Sequence, residues 1–212
     1  MSQHAVRREP LDNVVDSSAR IAHLEMRLAE LVTTHAADRQ IIDKLRRALD
    51  RDSATDAYSR GYFETALAHE LRHFRRDDHD RLAVPLTLAI VDVDHFKQIN
   101  DIAGHMNGDR ALREVVDICR SHLQRDTDVV ARYGGDEFAL LLPQTPIDSA
   151  FLLLQKICRD VSGCIVDGIR LSVSIGVATC PQHGRTPRDL FAAADRALYH
   201  AKQTRDTVAC AE

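Results

Sequence analysis

The chain has 212 residues, which is enough for one domain of about 150 residues with a hydrophobic core and an accessory segment. Its 28 Lys and Arg residues and 32 Asp and Glu residues give a formal net charge of -4, which argues against a nucleic-acid-binding protein. Its five cysteines show neither a Cys-x-x-Cys motif nor zinc-finger spacing, so we expect reduced thiols. No apolar run approaches the ~18 residues of a membrane-spanning helix, and the N-terminus lacks the apolar core of a signal peptide. These observations predict a cytoplasmic protein that does not insert into membranes.

Residues 14–52 are predicted to form a coiled-coil stalk that follows a flexible N-terminus at residues 1–13. Apolar residues recur there in alternating steps of three and four, at Val14, Ile21, Leu24, Leu28, Leu31, Ile42, Leu45 and Leu49. This spacing places them at the a and d positions of a heptad repeat. The alternative is a single amphipathic helix that packs on the following domain, but two apolar residues per heptad form a narrower stripe than such a helix presents. We therefore expect a homodimer that assembles through the coiled coil.

His35 and Asp38 interrupt this apolar seam, at an a and a d position respectively. Polar groups at such positions cost stability and favour a defined register. They are interpreted first as a tolerated defect that fixes the oligomeric state. The other interpretation is a weak point at which a regulatory protein, or protonation of His35, shifts the stalk.

Turn residues appear after the stalk and indicate a globular domain over residues 53–212. Hydrophobic periodicity predicts helices at residues 61–76, 112–123, 147–161 and 187–202. It predicts strands at residues 86–91, 170–178 and 208–210, and two further strands joined by a tight Gly-Gly turn within residues 129–143. This order of elements is typical of a ferredoxin-like α+β fold, in which helices flank a mixed, largely antiparallel sheet.

Two segments place carboxylates where the sheet is expected to meet solvent. Asp92 and Asp94 end the strand at 86–91, and Asp136 and Glu137 follow the glycine pair of the hairpin. Mg²⁺ binds one or two protein carboxylates together with substrate phosphates, and glycines let the backbone approach a triphosphate closely. Each segment alone is weak evidence, because glycine turns flanked by acids are common in hairpins. Together they predict a magnesium site that handles a phosphate-containing substrate.

At these residues the sequence resembles the GGDEF family of diguanylate cyclases, over about residues 52–206. The matching segments are DVDHFKQIND (92–101), GHMNGDRALREV (104–115), RYGGDEF (132–138), SVSIGVA (172–178) and ADRALYHAK (194–202). The resemblance implies a nucleotide-cyclase-like fold, related to polymerase palm domains, over the globular domain. It also implies that two GTP molecules are converted into cyclic di-GMP and two pyrophosphates by two half-sites that face each other in a dimer.

The resemblance also implies which residues form the active half-site. Asp92, Asp136 and the backbone carbonyl of Val93 are expected to bind two Mg²⁺ ions, with Mn²⁺ as an alternative. The catalytic residues are expected to be Asp92, Lys97, Asp136 and Glu137. The substrate-binding residues are expected to be His95, Phe96, Lys97, Asn100, Asp109, Leu112, Gly134, Gly135, Lys202 and Arg205.

Within this set, Asn100 and Asp109 are expected to bind the guanine edge. Asp109 favours GTP over ATP, because its carboxylate accepts from the N1–H and the exocyclic amine of guanine. Lys97 and Lys202 are expected to bind triphosphate oxygens. Without the motifs around it, each lysine would be interpreted as a solvated surface residue.

The sequence departs from the family pattern in two places. At the stalk junction the pattern Asp-x-Leu-Thr-x-Leu-x-Asn-Arg corresponds to residues 52–60, in which alanines replace both leucines and a serine replaces the asparagine. Large-to-small changes cost about 2 kcal/mol or more when they are buried. After the last helix, residues 203–206 are Gln-Thr-Arg-Asp in place of a Gly-Arg-Asn, which leaves the register of Arg205 open. These departures keep an alternative function open, a non-catalytic receptor or scaffold that binds GTP or cyclic di-GMP through a degenerate domain.

Arg125 and Asp128 precede the hairpin with the spacing of an RxxD motif. As plain sequence, this pair is typical of a surface ion pair that contributes little to stability. The family resemblance implies instead an inhibitory site, at which the two residues bind the product cyclic di-GMP.

His69, Glu70 and His73 fit the H-E-x-x-H pattern of a zinc hydrolase. The apolar stripe of this helix is expected to face the core, which leaves both histidines on or near the solvated face. No convincing third ligand follows in the sequence, so zinc hydrolysis is disfavoured.

Overall fold

The structure, a computed structural model, describes residues 11–77, 85–123 and 125–212. The chain divides into two compact units, Met1–Ala48 and Leu49–Glu212. Helix α1 spans Leu11–Asp50, without the interruption that a glycine or proline would cause. The apolar side chains of the predicted heptad seam that the structure describes in the first unit are 46% to 63% exposed, at Ile21, Leu24, Leu28, Leu31, Ile42 and Leu45. His35 and Asp38 are exposed on the same helix.

The second unit contains one main sheet and five further helices within the described residues. Its elements are β1 (Tyr58–Ser59), α2 (Arg60–Asp77), β2 (Leu86–Val93), α3 (Phe96–Ala103), α4 (His105–His122), β3 (Val129–Arg132), β4 (Glu137–Leu142), α5 (Ile147–Gly163), β5 (Ile165–Val166), β6 (Ile169–Arg170), β7 (Val173–Cys180), α6 (Pro187–Thr204) and β8 (Thr207–Cys210). The six strands of the main sheet lie in the order β1-β3-β4-β2-β7-β8. The central pairs are antiparallel, and the outer pairs β1–β3 and β7–β8 are parallel. The predicted α+β fold with a mixed, largely antiparallel sheet is therefore confirmed.

Strand β2 lies at the centre of the sheet, and all of its residues are buried. Successive side chains of a strand point to opposite faces, so β2 contributes to two separate cores. Ala89 and Val91 pack in the core formed with α4 and α5, whereas Leu88 and Ile90 pack in the core formed with α2 and α6. Because both faces of β2 are buried, the segment from Leu88 to Val91 is continuously apolar.

Helix α6 approaches strand β7 very closely at Gly176. A Cβ atom at this position would collide with the carbonyl oxygen of Ala194 and the amide nitrogen of Leu198. A side chain would therefore push the helix away from the sheet. The close contact fixes α6 over the sheet and brings its C-terminal end to the end of β2.

The structure corrects several element boundaries. The helix expected at 112–123 begins at His105. Helix α3 was not predicted, because its eight residues are fewer than the roughly 11–18 residues over which helical periodicity is recognised. The short strands β1, β5 and β6 were also not predicted, and β7 begins at Val173 rather than at residue 170. No helix in the described ranges has the length and hydropathy needed to cross a bilayer.

Candidate active site

The end of β2 and the start of β4 bring the predicted carboxylates together. In the antiparallel register, Asp92 lies opposite Glu137 on β4 and opposite Ser174 on β7. The amide of Val93 donates to the carbonyl oxygen of Asp136 at 3.2 Å. The backbones of the predicted metal ligands Asp92, Val93 and Asp136 are therefore adjacent at the C-terminal end of the central strand β2.

The Gly-Gly turn is held by backbone and side-chain hydrogen bonds. The amides of Tyr133 and Gly134 both donate to the carbonyl oxygen of Glu137, at 2.8 and 3.1 Å. A Cβ atom on Gly134 would lie 2.7 Å from Oε2 of Glu137, so the glycine leaves the space that this carboxylate occupies. The hairpin therefore fixes Glu137 as well as Asp136.

Arg132 links this turn to the stalk junction, a contact that was not predicted from the sequence. Its Nε and Nη2 donate to the carbonyl oxygen of Gly135 at 3.1 and 2.6 Å, and its Nη1 donates to Oδ1 of Asp52 at 3.1 Å. Burial raises the pKa of Asp52, but hydrogen bonds from Thr55 and Arg132 outweigh burial and hold this pKa below its usual value. The guanidinium thus connects an ionised carboxylate to the Gly-Gly hairpin.

Lys202 lies beside Asp92, with its Nζ 2.7 Å from Oδ2. Burial raises the pKa of Asp92, Lys202 lowers it, and the charges of Asp136 and Glu137 raise it, so the pKa lies above its usual value. Burial lowers the pKa of Lys202, but the hydrogen bond and charge of Asp92 outweigh burial and leave the pKa raised. One ammonium group therefore only partly offsets three neighbouring carboxylates.

The side chains at this end of β2 fit a hard divalent cation. Asp92 and Asp136 supply two carboxylates, and the ammonium of Lys202 already occupies a cation position beside Asp92. Over the described ranges, no three or more His, Cys, Asp or Glu residues are grouped so that they could hold a metal ion by themselves. Mg²⁺ takes one or two protein carboxylates and completes its coordination with water and substrate phosphates, and Asp92 and Asp136 supply that number of carboxylates.

Helices α3 and α4 place Asn100 beside Gly108, the residue that precedes Asp109. The N–H of Gly104, which has φ +83° between the two helices, donates to the carbonyl oxygen of Asn100 at 2.9 Å. A Cβ atom on Gly108 would collide with Oδ1 of Asn100, so the glycine makes room for this amide. Oδ1 of Asn100 is buried without a hydrogen-bond partner in the described part of the chain. An unsatisfied buried acceptor is costly, and a ligand donor would satisfy it.

The remaining predicted substrate residues are not all brought to this surface. Leu112 is fully buried in the core, and Phe96 is partly buried against it. His95, Lys97 and Arg205 are exposed, and their side chains make no hydrogen bond or ion pair with any other described residue. Their placement is compatible with ligand binding, but no hydrogen bond or ion pair with another described residue holds their side chains in position.

Asp94 has a structural environment that differs from that of Asp92. Its carboxylate accepts from the hydroxyls of Ser172 and Ser174 at 2.9 and 2.8 Å, and from the amide of Asp206 at 3.1 Å. The carboxylate of Asp206 in turn accepts a hydrogen bond from Ser162. Asp94 therefore anchors the segment after α6, and this anchor leaves Arg205 exposed at the C-terminal end of the helix.

The two residues of the RxxD motif contact each other and the loop after β4. The amide of Arg125 donates to Oδ2 of Asp128 at 3.3 Å, and Nη1 of Arg125 donates to the carbonyl oxygens of Pro143 and Gln144 at 3.1 and 3.2 Å. Oδ1 of Asp128 is buried and has no partner within the described residues. Burial raises the pKa of Asp128 above its usual value, despite the hydrogen bond and charge of Arg125.

The H-E-x-x-H segment lies on α2. Nδ1 of His69 is 3.6 Å from Oε1 of Glu70, and the side chain of His69 is exposed. The side chain of His73 lies outside the described residues, so the geometry of the pair is not assigned.

Comparison with known proteins agrees with this architecture. The model of the family "Diguanylate cyclase, GGDEF domain" matches residues 49–207. This chain belongs to the GGDEF family. Diguanylate cyclase DgcM of Escherichia coli (strain K12) is 34% identical to this GGDEF protein over 168 residues, which cover 77% of this chain and 38% of DgcM. This GGDEF chain thus spans less than half the length of that relative.

Two solved structures match the GGDEF domain together with the N-terminal helix. The coiled coil and GGDEF domain of DgcB from Caulobacter crescentus, in complex with c-di-GMP, matches with a TM-score of 0.78 and 28% identity, over 89% of this chain and 99% of that one. Diguanylate cyclase SiaD from Pseudomonas aeruginosa, in complex with its activator SiaC, matches with a TM-score of 0.66 and 30% identity, over 94% of this chain and 78% of that one.

Proposed function

We propose that this protein is a diguanylate cyclase that, as a homodimer, converts two GTP molecules into cyclic di-GMP and two pyrophosphates. The observation that carries the proposal is that Asp92 and Asp136 lie together at the C-terminal end of β2, with the Lys202 ammonium 2.7 Å from the carboxylate of Asp92. A cation site with two protein carboxylates suits a substrate whose phosphate oxygens supply further metal ligands. The unsatisfied oxygen of Asn100 supplies a second binding point.

The residues at the C-terminal end of β2 are proposed to have separate roles. Asp92, Asp136 and the Val93 carbonyl would hold two Mg²⁺ ions, or Mn²⁺. Bound ions would lower the cost of ionising the attacking 3′-hydroxyl and would neutralise the departing pyrophosphate. Lys202 and the exposed Lys97 bind phosphate oxygens, and Glu137 fills the space beside Gly134 and keeps negative charge near Lys202.

Recognition of guanine rests on the α3–α4 pair. The carboxylate of Asp109 accepts from N1–H and the exocyclic amine of guanine, and adenine offers no such pair of donors. Oδ1 of Asn100 is an acceptor that still needs a donor. The other residues proposed to contact the substrate are His95, Phe96, Leu112, Gly134, Gly135 and Arg205.

The stalk is proposed to assemble the dimer. Its heptad side chains are about half exposed in a single chain, and burying a Leu or Ile side chain contributes roughly 1.5–3 kcal/mol. Pairing two stalks also raises the effective concentration of the second half-site, which one domain needs to complete the ring. The complex of SiaD with its activator SiaC supports the further proposal that a regulatory protein binds this chain, and the polar break at His35 and Asp38 makes the stalk the proposed surface.

Product inhibition is proposed to act through Arg125 and Asp128. Nη1 of Arg125 is engaged by loop carbonyls, whereas its Nε and Nη2 make no hydrogen bond to the described chain and can donate to a phosphate or a guanine edge. The DgcB complex with c-di-GMP supports binding of this nucleotide by a related chain, and the assignment to Arg125 and Asp128 rests on the RxxD spacing. Arg125→Ala should keep its turnover and lose inhibition by added cyclic di-GMP; unchanged inhibition would exclude this site.

The main test is incubation of the full chain with GTP and Mg²⁺, followed by chromatographic separation of the nucleotides. We expect cyclic di-GMP from the wild type, at least a 100-fold loss of rate in Asp136→Asn, and no loss in Asp195→Asn, which changes an exposed acid on α6. GTP binding without any product would assign the alternative, a non-catalytic receptor. Leu28→Glu tests the stalk: its rate should fall at low protein concentration and recover at high concentration.

A further inference from the structure

A cavity lies beside the Gly-Gly hairpin, between α2 and α6. Its volume is about 370 Å³, and its walls are formed by Glu64, Leu67, Tyr133, Pro187, Arg188 and Phe191. This volume lies within the range of small-molecule binding pockets, which combine apolar walls with a few polar groups. None of these residues belongs to the half-site or the RxxD site described above.

The walls of this α2–α6 cavity are suited to a flat, apolar ligand. The rings of Tyr133 and Phe191 pack with their centroids 4.6 Å apart and an interplanar angle of 30°. Phe63, which is fully buried, supports both rings through edge contacts at 6.1 and 5.8 Å. Leu67 adds a buried aliphatic wall. Aromatic ligands gain from such ring contacts beyond the area that they bury.

The charges at the cavity favour an anion. Oε1 of Glu64 accepts from Nε of Arg60 at 2.8 Å, and the guanidinium of Arg60 lies 4.5 Å from the centroid of the Tyr133 ring. The charge of Glu64 is therefore already compensated. The guanidinium of Arg188 is exposed and makes no hydrogen bond or ion pair with the chain described here. One positive charge remains, and a guanidinium pairs with a carboxylate through two parallel hydrogen bonds.

We propose that this cavity is a binding site for a small aromatic carboxylate, with the ring against Tyr133 and Phe191 and the carboxylate on Arg188. The site would contact the catalytic turn directly. Tyr133 immediately precedes Gly134, and its amide donates to the carbonyl oxygen of Glu137 at 2.8 Å. A ligand that packs on this ring therefore acts on the residue that begins the turn. The inference does not depend on the cyclase proposal.

The test uses the full chain and naphthalene-2-carboxylate as the probe, with binding measured by calorimetry and by ligand-observed NMR. We expect one probe per chain and at least about tenfold weaker binding of the neutral naphthalene-2-carboxamide, because the charged hydrogen bonds are lost. Arg188→Gln should weaken binding of the carboxylate by a similar factor, and Arg188→Lys should restore part of it. Arg196→Gln, an exposed arginine later on the same helix, should leave binding unchanged.

Equal affinity for the acid and the amide, or unchanged binding in Arg188→Gln, would overturn the inference. Loss of the probe on addition of GTP or cyclic di-GMP would also overturn it, because it would place the probe in a nucleotide site. Lack of binding at millimolar probe has the same consequence. Arg188→Gln should keep the wild-type rate with GTP, so failure of this inference is distinct from failure of the proposed function.

Discussion

Replacing Asp136 by asparagine should stabilise the protein in the absence of metal and should remove most of its response to Mg²⁺. Asp92 is only 8% exposed, and burial together with the charges of Asp136 and Glu137 raises its pKa, although Lys202 opposes this rise. Asparagine keeps the size of the side chain at position 136 and removes one of the like charges. The variant should therefore relieve repulsion that a bound cation would otherwise relieve.

The expected stabilisation is modest. Charge pairs directly opposite each other on neighbouring strands contribute roughly 0.2–1 kcal/mol. Asp136 lies one residue before Glu137, which is directly opposite Asp92, and the ammonium of Lys202 compensates part of the repulsion. We expect a gain of roughly 0.5–1 kcal/mol for Asp136→Asn, which corresponds to about 1–4 °C in Tm for a chain of this length.

The gain should depend on pH in a defined direction. Because the folded pKa of Asp92 is raised, this group holds its proton more tightly in the folded state than in the unfolded chain. The stability that it contributes is complete below its unfolded pKa and is lost as the pH rises through its folded pKa. The advantage of Asp136→Asn should therefore be largest at neutral pH and should shrink on acidification.

The assay is thermal unfolding of the full chain with EDTA, with Mg²⁺, and with Mg²⁺ plus α,β-methylene GTP, which resists release of pyrophosphate. Ligand at 100 times its dissociation constant stabilises the folded state by about 2.7 kcal/mol, so the wild type should show a clear increase in Tm. Asp136→Asn should show little of this increase, and the exposed control Asp195→Asn should behave as the wild type. If the asparagine variant is less stable than the wild type in EDTA, or keeps the full increase with Mg²⁺, the argument for a shared cation site is refuted.

Three further substitutions test the surroundings of the site. Arg205→Gly should stabilise the chain by about 1 kcal/mol in urea unfolding, because φ is 58° and ψ is 174° at this position; a loss of stability would count against strain. Gly108→Ala should raise KM for GTP more than it lowers kcat, because the new Cβ would displace Asn100; an unchanged KM would remove Asn100 from guanine recognition. Arg132→Lys should cost about 1.5–3 kcal/mol of stability and lower the rate, because lysine cannot make both hydrogen bonds to Gly135; wild-type unfolding and kinetics would contradict this.

The sequence predicted a mixed, largely antiparallel sheet flanked by helices, because the long buried strands have continuous apolar sequences and are separated by clear turn residues. It did not predict α3, because a segment of eight residues is too short for a helical pattern to be distinguished from a chance pattern. The chemistry of the two acidic segments, together with the resemblance to the GGDEF family, predicted that Asp92 and Asp136 share one site. It could not place Lys202 against Asp92, since this contact depends on how closely α6 packs on β7 at Gly176.

The stalk junction shows how the missing leucines of the family pattern are compensated. Ala57 is fully buried and belongs to the core formed with α4 and α5, so the small side chain at this position is packed in the core. The neighbouring backbone is held by arginines of α4: Nε of Arg113 donates to the carbonyl oxygen of Ala54 at 2.6 Å, and Arg120 donates to the carbonyl oxygen of Asp56. Hydrogen bonds to carbonyl oxygens do not depend on which side chains the junction carries, so the loss of two leucines is compatible with an ordered turn. Arg132 connects Asp52 of this junction to the Gly-Gly hairpin, and the pairing of β1 with β3 adds a backbone connection between the junction and the same part of the sheet.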